Sequence, residues 1–260
     1  MTMPAIPDAV CTLVFAWRTF QTAPLVVAAN REEATDRPAG PPRLRTGPRQ
    51  YLAPQDLVAN GTWIGYNAAD VFVALTNRRT EFEGTRSRGL LVRDALTAES
   101  AVAAAESVRK DIEGTRYAGF NIAIIDPSTA VIIEWDGEVR DHSLDPGVHV
   151  LANGGRNGDD DLASAVADRI TPVDADDPRA WLSRANAVLS DHTLGTCRHE
   201  NGYGTVSSSH LLADESGRIR YEFAAGAPCE TDHRTVFDGH LRRPKSESRS
   251  ASGKSTSPSE

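Results

Sequence analysis

Lysine and cysteine are both scarce in this sequence, and each shortage excludes something. Lys110, Lys245 and Lys254 are the only lysines among 28 basic residues, and the net charge is −8. That balance argues against a nucleic-acid-binding surface, which needs clustered basic charge. Aspartate is plentiful by contrast, with one run at Asp159, Asp160 and Asp161 and another at Asp174, Asp176 and Asp177. Few lysines and many aspartates are the mark of an acidic proteome encoded by G+C-rich DNA, a matter of solubility rather than of fold. Cysteine occurs three times, at Cys11, Cys197 and Cys229, without a CxxC pair. Neither a disulfide framework nor a zinc site is expected from that spacing. His199 and His210 show no metal-ligand spacing either, so no metal is assigned. No apolar run reaches the roughly 20 residues needed to cross a bilayer. The opening MTMPAIPDAV lacks the basic start and apolar stretch of a secretory signal, so a cytoplasmic location is expected.

What remains is ordinary globular material, 40% hydrophobic and 25% charged. A chain of 260 residues can bury a core in one domain without disulfide or metal staples. Strand-length runs of β-branched and aromatic residues appear at Cys11 to Trp17 (CTLVFAW) and Pro24 to Asn30 (PLVVAAN), which read as a hairpin. Glu33 to Pro48 is rich in proline and glycine and reads as a loop. Two further strands, Gly61 to Asn67 and Val71 to Thr76, flank an Ala68-Ala69-Asp70 turn. Helical spacing follows over Arg88 to Leu96 and Glu99 to Ile112, with Gly114 as the stop. Strands are expected at Phe120 to Asp126, Ala130 to Asp136 and His149 to Asn153, and helices at Leu162 to Arg169 and Pro178 to Asp191. Thr205 to Asp214 and Arg218 to Phe223 form a last strand pair. The order strands, helices, strands, helices, strands is neither a βαβ alternation nor an all-β meander. It fits stacked antiparallel sheets with helices outside, a four-layer αββα sandwich in the α+β class. Residues 11–240 form the domain. Residues 1–10 are an extension absent from or removed in the working protein, and 241–260 a Ser-rich tail expected to be disordered.

Several short motifs stand in order at strand ends and turns: CTLVFAW, AANREE, NGTWIGYN, LTNRR and SRGLLVRD, with YGTVSSSHLL (Tyr203 to Leu212) returning late. Together they resemble the NRDE family, also called the transport-and-Golgi-organisation family, whose tetrad is here Asn30-Arg31-Glu32-Glu33. The resemblance is strongest from Cys11 to about Arg93. Two departures stand out. Glu32 replaces the usual Asp, and Val206 stands where the family often has Arg, with Arg198 as a candidate substitute.

The resemblance implies an N-terminal-nucleophile (Ntn) hydrolase of the cysteine branch. It assigns Cys11 as nucleophile, Arg31 as the cation beside it, Asn77 as an oxyanion donor and Asn153 as a second site asparagine. Asn30, Glu32, Glu33, Trp63 and Asn67 are taken as the surrounding substrate-binding positions. Structural roles stand beside these: an Arg31–glutamate ion pair, a core position for Trp63, and turn shaping by Asn67. In this chemistry the α-amino group of residue 11 is the base for its own thiol, and an α-amine titrates near neutrality. As written, Cys11 carries a peptide bond instead. Cleavage at Val10-Cys11, or initiation at a Val10 codon followed by methionine removal, would free the amine. The implied substrate is a small-molecule amide, with no cofactor. A second reading takes the same pocket as a non-catalytic haem or lipid carrier, with Cys11 as a haem or metal ligand or a relic.

Overall fold

In the first hairpin, side chains alternate between two buried environments, as the pleat of a strand requires. Strand β1 (Thr12–Trp17) turns Leu13, Phe15 and Trp17 to one side, and Val14 and Ala16 to the other. Its partner β2 (Leu25–Ala34) does the same with Leu25 and Val27 against Val26 and Ala28. A strand apolar on both faces must be covered twice, and here a second sheet covers one face and helices the other. The computed structural model describes residues 11–171 and 176–243. The expected extension 1–10 and most of the Ser-rich tail lie outside that range.

One sheet runs β10 (Gly147–Leu151), β1, β2, β12 (Tyr203–Ala213), β13 (Ile219–Ala224), β14 (Arg234–Gly239), with the two-residue β11 (His199–Glu200) paired to β12. The other runs β3 (Ala39–Arg45), β4 (Tyr51–Asp56), β5 (Ile64–Asn67), β6 (Phe72–Asn77), β7 (Phe120–Ile125), β8 (Ala130–Trp135), β9 (Val139–Ser143). The strand pairs in both sheets are antiparallel. Between the sheets lies a core built on Leu13, Phe15, Phe72, Ile125 and Tyr221. Helices α1 (Arg88–Ala95) and α2 (Ala101–Gly114) cover the β3–β9 sheet through Leu91, Val92, Ala105 and Val108. Helices α3 (Asp161–Ile170) and α4 (Pro178–Leu189) cover the other through Val166, Ile170, Trp181 and Leu189. The result is the four-layer αββα sandwich. Each helix starts on an expected kind of cap, Ser87, Ser100, Asp160 or Asp177, whose side chain accepts an amide of the first turn.

The sheet edges depart from what local periodicity predicts. The supposed loop Glu33 to Pro48 contains β3, with Pro41 and Pro42 at a register shift between Gly40 and Arg43. Proline donates nothing to a ladder, and an edge strand tolerates that loss. The stretch after Asp136, to which the sequence assigns neither strand nor helix, holds β9 at the opposite edge. Strands β4, β11 and β14 were likewise not anticipated. One close contact explains why two motifs occur together. Thr62 N–H donates to the Gly89 carbonyl at 2.9 Å, and a Cβ on Gly61 would lie 2.3 Å from the Gly89 carbonyl carbon. Only glycine lets the NGTW turn and the SRG helix start meet this closely.

Candidate active site

Cys11 stands immediately before β1 and lines a cleft of ≈ 100 Å³ at that end of the sandwich. Its sulfur lies 3.8 Å from the Glu32 carbonyl, and its backbone nitrogen donates to Asn153 Oδ1 at 3.1 Å. Arg31, Glu32, Glu33, Trp63 and Asn77 line the same cleft. A larger cavity of ≈ 210 Å³ opens at the far end of β1, between Trp17, Tyr66 and Asp126. It carries no cysteine, and the chemistry belongs to the smaller site.

The pleat of β2 decides what each member of the Asn-Arg-Glu-Glu tetrad does. Arg31 follows Ala29 and Val27 on the face toward the second sheet, where its guanidinium lies 4.3 Å from the Trp63 ring centroid. Its Nη2 pairs with Glu33 at 3.3 Å, while Nη1 is buried without a hydrogen-bond partner among the described residues. Glu33 also faces Arg37 at 3.6 Å, and Arg37 holds Asp56 at 2.7 Å, so the rim is a chain of alternating charge. Asn30 falls on the opposite face, toward α4. Its amide donates to the carbonyls of Leu189 and Thr196, both at 2.8 Å. Asn30 is therefore not brought to the cleft; it ties β2 to the end of α4. Asn67 is also elsewhere, bonding Leu96 and Ala98 carbonyls and the Ala69 and Val71 amides around the β5–β6 turn.

Glu32 is 1% exposed, and Thr205 Oγ1 donates to its Oε1 at 3.0 Å, while Oε2 has no hydrogen-bond partner among the described residues. Burial pushes its carboxyl up to about 8, against the Thr205 hydrogen bond and the charge of Arg198. The acid is therefore largely protonated at neutral pH. Cys11 keeps partial exposure, yet its thiol is pushed up to about 12, by burial first and by the Glu32 carboxylate second. The Glu32 carbonyl contact and the Arg31 charge pull the other way. With a peptide bond at its nitrogen, Cys11 is a thiol rather than a thiolate.

Asn153 is held by a buried network that joins the two sheets. Asn121, fully buried on the inward face of β7, donates to the carbonyls of Ala152 at 2.9 Å and Asn153 at 3.2 Å. Thr76 Oγ1 adds a bond to Ala152 O at 3.1 Å. Arg78 donates to Asn121 Oδ1 at 3.2 Å and Gly154 O at 3.0 Å, and pairs with Glu134 at 3.4 Å and Asp136 at 3.1 Å. The second Arg-containing motif, LTNRR, thus fixes the loop that carries Asn153. Arg88 was also missed: it lines the cleft, is pulled down by burial, and donates to Gly119 O at 2.7 Å. Its signal was its place in SRGLLVRD. The signal for Asn121 was one polar residue at an inward position of an apolar strand.

Two stacked antiparallel sheets between helical layers, with Cys11 immediately before the interior strand β1, define an Ntn-hydrolase fold. An N-acylethanolamine-hydrolyzing acid amidase ortholog from Caenorhabditis elegans is similar in structure, with a TM-score of 0.50 and 15% identity, covering 78% of this chain and 92% of that one. Penicillin V acylase from Agrobacterium tumefaciens is also similar, with a TM-score of 0.50 and 12% identity, covering 89% of this chain and 99% of the other. At such identities the likeness establishes the fold alone. The profile of the Transport and Golgi organisation 2 family matches residues 10–163, more than half of the sequence, and the chain belongs to that family. No curated protein matches it. No helix among the described residues is long and apolar enough to cross a membrane.

Proposed function

We propose that this protein hydrolyses a C–N amide bond of a small molecule through a thioester on Cys11, once the nitrogen of Cys11 is a free amine. The observation that carries this reading is the hydrogen bond from the Cys11 nitrogen to Asn153 Oδ1 at 3.1 Å. A freed α-amine in that place has one N–H occupied by Asn153, and its lone pair is available to its own thiol. Such an amine titrates near neutrality, where proton transfer is most effective.

In this mechanism the thiol proton passes to the α-amine and the sulfur attacks the substrate carbonyl carbon. Asn77 donates to the resulting oxyanion, a contact whose loss typically costs on the order of 100-fold or more in rate. The C–N bond breaks as the α-ammonium returns its proton to the leaving nitrogen. Water, deprotonated by the same amine, then cleaves the thioester and releases the acid. Arg31 lowers the thiol by its charge, and the Trp63 ring and Glu33 hold it in place. Arg88 joins Arg31 and Arg37 as a third cation at the cleft, suited to an anionic group on the substrate. The cleft of ≈ 100 Å³ opens to solvent, so it takes the reacting amide at Cys11 while the rest of the substrate extends outward.

The test compares three proteins on a panel of small amides: the full chain, a chain beginning at Cys11, and that shorter chain with Cys11→Ala. Turnover is expected in the Cys11-initiated protein, and in the full chain only where it has been cleaved at Val10-Cys11, with an acyl adduct on Cys11 in the intact mass. Equal turnover by the Cys11→Ala protein would falsify the assignment. Intact mass of protein expressed from its native locus checks the processing, since a chain retaining Met1 through Val10 refutes it.

A further inference from the structure

Away from the cleft, folding gathers four side chains that the sequence spaces far apart. His192 and Cys197 lie in the connection after α4, His199 in β11, and Cys229 in the loop between β13 and β14. One ligand atom from each lies within 4.8 Å of all the others. The Cys197 and Cys229 sulfurs are 3.3 Å apart, and His199 Nε2 is 3.1 Å from the Cys229 sulfur and 3.8 Å from that of Cys197. The His192 and His199 rings stand 5.1 Å apart. A tetrahedral zinc ion, with Zn–S about 2.3 Å and Zn–N about 2.0–2.1 Å, requires roughly 3.8 Å between sulfurs and roughly 3.6 Å from sulfur to nitrogen. The two sulfur-to-nitrogen separations bracket their value and the sulfur pair stands somewhat closer than its own, so small side-chain rotations that part the sulfurs suffice.

A second observation concerns the other nitrogen of His199. With Nε2 turned to the thiols, Nδ1 faces Glu230 Oε1 at 4.0 Å. That is longer than a hydrogen bond, and a small rotation of the exposed Glu230 side chain would bring its carboxylate to the ring N–H, the contact that orients imidazole ligands and raises their basicity. We propose that His192, Cys197, His199 and Cys229 form a Cys2His2 site for one structural zinc ion. Two thiolates and two imidazoles are a donor set that zinc favours, with no position left open for water. Binding releases the two thiol protons. The ion would clip the α4–β11 connection to the β13–β14 loop and stiffen the strand beside the cleft. Arg198, between two of the ligands, donates its N–H to Thr205 Oγ1 at 3.0 Å, and that hydroxyl holds Glu32.

The test uses the full chain purified under reductant with zinc in the medium. Metal analysis should find one zinc per chain, removable by a chelator and lost in Cys229→Ser and in His192→Ala. His192, His199 and Cys229 are exposed, so these variants are expected to fold. Cobalt(II) added to stripped wild type should give a thiolate-to-metal charge-transfer band that Cys229→Ser weakens. Chelation should lower the melting temperature of wild type and leave that of Cys229→Ser unmoved. A wild-type chain that binds neither zinc nor cobalt overturns the proposal. So does zinc retained at full stoichiometry by both variants, or a preparation in which Cys197 and Cys229 are found joined as a disulfide despite the reductant.

Discussion

Replacing Glu32 by glutamine probes the least usual group in the cleft. In the folded chain the Glu32 carboxyl stands at about 8, against an ordinary 4.5. A carboxyl raised on folding keeps its full contribution to stability below the unfolded value and loses it as pH rises through the folded one. Between 4.5 and about 8 the folded state holds a proton that the unfolded state has released, so wild type should lose up to about 1.4 kcal/mol per pH unit and about 5 kcal/mol in all. Glutamine keeps an oxygen for Thr205, fills nearly the same volume and does not titrate. The assay is urea unfolding, followed by tryptophan fluorescence, in steps from about pH 5 to about pH 9. The stability of Glu32→Gln minus that of wild type should climb by up to about 1.4 kcal/mol per pH unit and level off above the folded value. Burial of His233 lowers its folded value to about 4, which gives stability an opposite slope at mildly acidic pH, but both proteins share that slope and it cancels in the difference. The same variant removes the second-largest influence holding up the Cys11 thiol, so alkylation of Cys11 should shift to lower pH. A difference that stays flat with pH means that Glu32 is ionised in the folded protein, and the argument fails.

Two further outcomes follow from the geometry. A chain beginning at Cys11 gains an α-ammonium beside its sulfur, and mass-mapped alkylation of Cys11 should titrate at least about one pH unit lower than in the full chain; identical profiles refute the role given to the free amine. Asn67→Ala removes four hydrogen bonds around the β5–β6 turn, two of them fully buried, and should cost about 2–4 kcal/mol in urea unfolding. It should leave the pH profile of Cys11 alkylation unchanged, and a shifted profile would instead tie Asn67 to the cleft.

Sequence alone determined the layered plan, because strands buried on both faces and helices with one apolar stripe can be read from local periodicity. The motifs placed Cys11 at the head of β1 and Arg31 two residues after the last apolar inward position of β2. They carried the family likeness because each marks a turn or strand end with its own backbone demand, as Gly61 and Gly89 illustrate. Edge strands were the illegible part of the sheets. Strand β3 contains two prolines and β9 is mostly exposed, so neither shows the apolar pattern of an interior strand.

Tertiary structure decided what polar residues do, since a side chain's role depends on which layer it meets. Asn30 and Arg31 are neighbours in one motif, yet the pleat sends one to the end of α4 and the other to the cleft. Asn121 and Arg78 matter because the sheets stack with the Asn153 loop between them. The two cysteines and two histidines form a cluster only because β13 returns beside β12 and delivers Cys229 to the segment after α4. Spacing rules see ligands that are close in sequence, and these become close only once the sheet is built.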